Sequence, residues 1–264
     1  MAIGIFDSGV GGLTVWQALQ PIATEDIVYF GDTIHIPYGD KTPEQLFGYF
    51  RRIMDFFVQR KVSAVVVACN TMSAVVVPRI GPNPPLPLFN MIDAAVAQAV
   101  PVTKGRIGVL ATRATTESGA YPRALKNAAP DLEVASQACP KLVPFIEAGL
   151  LGGPMISDAV KEYVTPLLQA KVDTIILGCT HYPLILPEIR RVAGNGVSIL
   201  DPAEQIREDV ARFLEGRTPT CSPGSCRTEF WVSGDPWRFQ SLAQDILGTA
   251  IPPVQRYSGA GDGW

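Results

Sequence analysis

Two stretches of this chain end in a cysteine set among polar side chains: "VSAVVVACNT" (62–71) and "VDTIILGCTH" (172–181). In each, a valine (Val62, Val172) stands seven residues before a cysteine (Cys69, Cys179), and a threonine follows within two positions (Thr71, Thr180). A lone cysteine at the end of an apolar run is usually a small buried hydrophobe. A matched pair suggests other chemistry. Inverting a carbon centre by proton transfer needs a base on one face and an acid on the other, and a thiolate and a thiol can fill those roles and exchange them at each turnover. A free thiol titrates near about 8.5, so a working thiolate needs hydrogen-bond donors or positive charge beside it. Asn70, Thr71, Thr180 and His181 directly follow the cysteines and supply donors. Asp7 and Asp32, each ending another apolar run, could accept or relay protons, although a carboxylate beside a thiolate raises the thiol pKa. The scheme calls for no metal and no organic cofactor.

These groups must ride on elements that end at one place. "AIGIFD" (2–7) is a short apolar run that stops at a charge, and "SGVGGLTVWQAL" (8–19) reads as a glycine loop opening into a helix. "DIVYFGD" (26–32) is a second strand, and 42–60 is an amphipathic helix with Thr42 as N-cap and Pro43 at its first position. The stretch 62–71 reads as a third strand. A proline-rich segment (81–89) and an alanine-rich helix (92–100) follow, and from "KGRIGVLATRATTESGAYPRAL" (104–125) the strand–loop–helix theme restarts and continues to 206. "EFWVSGDPWRF" (229–239) is a further strand ending in a turn. Strands apolar on both faces, alternating with helices, predict parallel sheets between helical layers. "AIGIFDSG" pairs with "RIGVLATR" as the two cysteine segments pair with each other, which predicts an internal duplication of one α/β unit. The expected fold is therefore α/β, with two pseudo-symmetric three-layer domains and mainly parallel sheets. Functional residues gather beyond the carboxyl ends of parallel strands, so facing domains would put Cys69 and Cys179 on opposite walls of one cleft.

Composition narrows the classes. Of the 264 residues, 47% are hydrophobic and 18% charged, which excludes a disordered or fibrous chain. A net charge of −3 gives no footprint for nucleic acid or an anionic membrane. No apolar run approaches the roughly 20 residues of a membrane span, and no basic n-region precedes an apolar stretch at the N-terminus, so a soluble cytoplasmic protein is expected. Five cysteines do not make a disulfide framework. "CSPGSC" (221–226) could form a disulfide or half a metal site, but with two histidines in the chain it is expected to be a plain surface loop, and Cys139 is expected to be structural. "GVGG" (9–12) fails the dinucleotide fingerprint because Thr14 stands where glycine is required. Taken singly, Asp7 could cap the following helix and His181 could be a satisfied structural histidine.

The motifs "IGIFDSGVGGLTV", "YFGDTIHIPYGDKT", "VVACNT", "SGAYPRAL", "ACPKLVPFIEAG", "LGCTHYPLI" and "SGDP..F", in this order along nearly the whole chain, resemble those of bacterial glutamate racemases, in the cofactor-independent aspartate/glutamate racemase superfamily. The resemblance implies two α/β domains, residues 1–97 with 207–264 and residues 98–206, with the active site between them. It implies Cys69 as the acid/base for the D-enantiomer and Cys179 for the L-enantiomer, assisted by Asp7, His181 and the accessory carboxylate Glu147. Ser8, Tyr38, Gly39, Asn70, Thr71, Thr115 and Thr180 match substrate-binding positions. It further implies no cofactor and no metal, a small-molecule substrate, D-glutamate made for peptidoglycan, a cytoplasmic location and a homodimer. The chain departs from the usual motifs at Ile34-His35, at Met72, at Ala114, and at "PLFNMIDAA" (87–95), where Asn90, Asp93 and Ala94 replace the customary Gly, Glu and Pro. Alternatives at this point are an aspartate racemase or another superfamily member acting on a different small acid, and a non-catalytic dicarboxylate-binding protein. Both cysteines together favour racemisation.

Overall fold

The computed structural model describes residues 1–259; residues 260–264, the end of the expected first domain, lie outside the described residues. The first half of the chain alternates strand and helix: β1 (Ala2–Asp7), α1 (Leu13–Leu19), β2 (Asp26–Gly31), α2 (Pro43–Gln59), β3 (Ala64–Val67), α3 (Asn70–Val75), β4 (Leu88–Asn90) and α4 (Met91–Ala99). The second half repeats the theme with β5 (Arg106–Ala111), α5 (Arg113–Ser118), α6 (Ala120–Ala128), β6 (Glu133–Ala138), α7 (Leu142–Glu147), α8 (Pro154–Gln169), β7 (Thr174–Gly178), α9 (Leu186–Ala193) and β8 (Ser198–Leu200). Then α10 (Pro202–Leu214) leads to β9 (Thr228–Val232), α11 (Pro236–Leu247) and β10 (Val254–Arg256). The helix expected at 42–60 is α2, and Thr42 and Gln45 close a reciprocal capping box at its start. The strand expected over 62–71 is shorter: it ends at Val67, and Asn70 and Thr71 open α3 instead. Past Val67 the last ladder contacts are the N–H groups of Ala68 and Cys69, which both donate to the Phe6 carbonyl, so the chain leaves the sheet there.

The strands form two sheets, ordered β10-β9-β2-β1-β3-β4 and β6-β5-β7-β8, and every neighbouring pair runs parallel. The second order matches β2-β1-β3-β4 of the first, with the C-terminal strands β9 and β10 added at the β2 edge. Register follows the repeat as well, since Ile3 pairs with Ala64 and Ile107 with Thr174. Even the turns into the cysteine strands match: Lys61 and Lys171 both take left-handed φ values, of 53° and 56°. The expected architecture of two α/β sheet layers is thus present, related by a duplication.

Apolar packing joins the two halves. One buried cluster runs from Phe30, Phe57 and Val67 through Met72 and Ile92 to Ile107, Tyr121 and Ile176. Helix α10 is continuous across residues 206 and 207, and Ala203, Ile206, Val210 and Leu214 are buried with Ile3, Ile5 and Leu13 of the first sheet's core. Cys221 and Cys226 are joined by a disulfide, so the plain loop expected at 221–226 is corrected to a cross-linked one. The Pro223-Gly224 turn brings the two sulfurs together, and Cys226 is buried against the Ala23 carbonyl. Among the described residues, no helix is long and apolar enough to cross a membrane.

Candidate active site between the two sheets

The polar residues of the site lie just past the carboxyl ends of β1, β3, β5 and β7, where parallel sheets place ligand-binding groups. One cavity collects both thiols. Ser8, Tyr38, Gly39, Cys69, Asn70 and Thr71 line it from the first half, and Thr112, Cys179, Thr180 and His181 from the second. Its volume is ≈ 20 Å³, about room for one water. Both cysteines are free and buried.

On the Cys179 side, His181 links sulfur to carboxylate. Its Nε2–H donates to Glu147 Oε1 at 2.7 Å, and Nδ1–H faces Cys179 Sγ at 3.6 Å. Burial opposes charge on this imidazole, but the bonds to Cys179 and Glu147 outweigh it and hold the His181 pKa well above its ordinary value. An imidazolium is thereby aimed at Cys179 Sγ. Glu147, at the end of α7, also accepts from the Val10 N–H across the cleft at 3.1 Å.

The Cys69 side differs. Burial and the charge of Asp7 push the Cys69 thiol up, against bonds from the Met72 N–H and the Ser8 side chain. Both effects favour the neutral thiol at Cys69. Asp7 is fully buried; its carboxylate accepts from the Gly9 N–H at 3.0 Å and the Thr180 hydroxyl at 3.1 Å. Burial raises its pKa, and the His181 charge and the Gly9, Gly12 and Thr180 donors oppose that rise. A carboxyl poised in this way can hold or pass a proton close to Cys69.

The remaining wall is made of donors. The hydroxyls of Thr71, Thr112 and Thr115 close a triangle across the two halves, at 2.9, 2.9 and 3.2 Å. Hydroxyls can turn to donate to a carboxylate. Tyr38 donates to Asp32 at 2.6 Å, and Asp32 also accepts from Ser233 at 2.7 Å and contacts His35 Nδ1 at 2.8 Å. Asp32 thus sits behind Tyr38, bound up in positioning it, and the proton relay to a cysteine considered for it is not what its contacts support. The glycine loop has a steric reason: a Cβ on Gly11 would press on the His181 ring and stand 2.5 Å from Thr180 Oγ1. Only glycine lets the first half close to this distance on the second.

Of the twelve catalytic and substrate-binding residues expected from the sequence, nine line this cavity, and Asp7, Glu147 and Thr115 stand in the layer behind, bonded to Thr180, His181 and Thr71 respectively. Sequence reasoning missed Thr112. The duplication carried its signal, because aligning Ile3-Gly4 with Ile107-Gly108 sets Thr112 opposite Ser8. Among the described residues, no group of three or more His, Cys, Asp or Glu side chains is placed to hold a metal ion.

Comparison with known proteins agrees over most of the chain. A family model described as Asp/Glu/Hydantoin racemase matches residues 17–206. A glutamate racemase of Syntrophus aciditrophicus is 40% identical over 259 residues, covering 96% of this chain and 95% of its own. A solved glutamate racemase isoform from Bacillus anthracis superposes with a TM-score of 0.91 at 33% identity, over 97% of both chains. One from Francisella tularensis, in complex with D-glutamate, has a TM-score of 0.86 at 32% identity, over 97% of this chain and 96% of that one. Two sheets repeating one topology, two thiols on one cavity and this extent of similarity lead to one assignment: the chain belongs to the Asp/Glu/Hydantoin racemase family.

Proposed function

We propose that the protein interconverts L- and D-glutamate by direct proton transfer at Cα, with Cys179 acting on the L-face and Cys69 on the D-face. The observation that carries this reading is the single cavity lined by both thiols, with the His181 ring facing the Cys179 sulfur at 3.6 Å. In the L-to-D direction Cys179, as thiolate, takes the Cα proton of L-glutamate and becomes a thiol. Cys69 gives its thiol proton to the opposite face of the carbanion and becomes a thiolate. D-glutamate leaves, and the enzyme now holds the protonation state that accepts D-glutamate. Between turnovers Cys179 returns its proton to water and Cys69 regains one by way of Asp7, while His181, held charged by Glu147, favours the Cys179 thiolate. The two carboxylate ends of the substrate are gripped by Ser8, Asn70, Thr71 and Thr180, together with Thr112 and the Tyr38-Gly39 segment, with Thr115 orienting the Thr71 and Thr112 hydroxyls from behind. Glutamate is the chosen substrate because the relatives similar over the full chain carry that activity in their names.

The role that fits is supply of D-glutamate to peptidoglycan in the cytoplasm, by a homodimer. The working division of the chain is residues 1–97 with 207–264 against residues 98–206, joined through α10. Enantiomer conversion followed by circular dichroism, with glutamate and aspartate in parallel, tests the reading. The wild type should racemise glutamate, and Cys69→Ala and Cys179→Ala should each lose at least about 10³-fold, the scale of removing a proton-transfer group. Turnover of aspartate alone would move the substrate assignment, and no turnover of either would sink the racemase reading.

A further inference from the structure

Asn70 follows Cys69, lines the cavity and is 2% exposed. Its amide is satisfied at one end only. The oxygen accepts the Tyr121 hydroxyl at 2.6 Å, while the nitrogen is buried with no hydrogen-bond partner. A buried donor left unmade is costly and points to a partner not yet in place. Tyr121 is carried on α6, in the second half of the chain, and is fully buried in the apolar cluster that also holds Met72 and Ile92. Its phenol pKa is pushed up by burial and by the negative charges of Cys179 and Asp201, so the hydroxyl keeps its proton to donate.

We propose that Tyr121 is a positioning residue for the reaction: by donating to Asn70 Oδ1 from the opposite half of the molecule, it turns the Asn70 NH₂ into the cavity to receive a substrate carboxylate. The inference rests on the proposed dicarboxylate substrate. A carboxylate is acceptor-only, so it can be met by the amide nitrogen and not by the amide oxygen. A hydroxyl bonded to the oxygen selects that orientation. Because the bond spans the two halves, Asn70 is aimed only when they are together.

The test is a double-mutant cycle on racemisation kinetics with Tyr121→Phe and Asn70→Ala. Y121F should raise KM for both enantiomers about 10-fold, the scale of one polar bond to a charged group, with kcat changing much less. In the N70A background the same change should move KM less than about 2-fold. An unmoved KM in Y121F, or a full effect of Y121F in the N70A protein, overturns the proposal. Asn70→Asp gives a check that does not depend on Y121F folding: it keeps an acceptor for Tyr121 and presents an oxygen to the substrate. N70D should raise KM at least about 100-fold, since it loses a donor and adds like-charge repulsion, and a KM near wild type overturns the aim assigned to the amide. Calorimetric titration of glutamate into wild type and Y121F separates this from the functional reading. Binding weakened in Y121F with an inactive wild type supports the positioning role and removes the racemase, whereas a wild type that neither binds nor turns over glutamate overturns both.

Discussion

Cys69 and Cys179 come from matched positions of a duplicated unit, yet their surroundings are not matched. His181 has no counterpart beside Cys69, where Asn70 and Thr71 follow instead. The imidazole gives one sulfur a cationic neighbour, while Asp7 presses the other towards the thiol form. His181→Asn should therefore lower kcat/KM on the order of 10²-fold. The drop must be equal in both directions, because L- and D-glutamate have the same free energy in water. Polarimetric initial rates from each enantiomer check it. Stability should follow the same group. The folded pKa of His181 lies above its ordinary value of about 6.5, so its contribution is full below that value and is lost as pH rises through the folded pKa. Melting curves should show the wild type falling towards H181N on the alkaline side. At this scale much of the site was legible, because a motif keeps its residues adjacent: Cys179, Thr180 and His181 are consecutive. Tyr121 was not legible in its role, because its partner Asn70 lies 51 positions away and only the fold brings them together.

At the scale of elements, the sheets were legible and some boundaries were not. Apolar runs such as "AVVV" (64–67) mark buried strands without ambiguity, but the sheet ends where the neighbouring strand stops offering carbonyls, and one strand's sequence does not show that. The disulfide was missed for a related reason, since spacing alone cannot distinguish a turn that joins two sulfurs from one that does not. Helix α10 shows what an N-cap can cost. Asp201 accepts from the Ala203 N–H, but burial, with a further rise from Glu204, pushes its pKa up to about 6. A raised carboxyl is most compatible with folding when protonated, and stability falls as pH rises from about 4, its unfolded value, through the folded value. Asp201→Asn keeps the cap oxygen and removes the charge. It should stabilise the protein at pH 7 on the order of 1–2 kcal/mol, roughly 2–6 °C in melting temperature, and flatten the pH dependence below neutrality. A D201N melting temperature at or below that of the wild type at pH 7 would contradict this account.

For the whole molecule, the cavity poses the main constraint. At ≈ 20 Å³ it holds about one water, and glutamate cannot enter without the two halves moving apart. The contacts to be broken are mostly polar, among them Thr180 to Asp7 and Val10 to Glu147, while an apolar cluster remains shared beside them. Alkylation by iodoacetamide, mapped by mass spectrometry, should accordingly modify Cys69 and Cys179 at least about 10-fold more slowly than in the urea-unfolded chain, since exposure requires opening, and glutamate should slow it further. Labelling as fast as in the unfolded chain would mean the cleft stands open. That two halves face each other was legible from the duplication; how tightly they close was not, because it depends on the Gly11 approach to His181 and Thr180.

The central claim is that two different groups act on two faces of Cα, and hydrogen isotope exchange at low conversion tests it most directly. L-glutamate is incubated with the enzyme in deuterium oxide and both enantiomers are recovered while little has reacted. A two-thiol site predicts D-glutamate carrying solvent deuterium at Cα and remaining L-glutamate still carrying protium, with the mirror result from D-glutamate. Deuterium appearing equally fast in substrate and product, or protium returned to the product, would mean that one group serves both faces and would contradict the account.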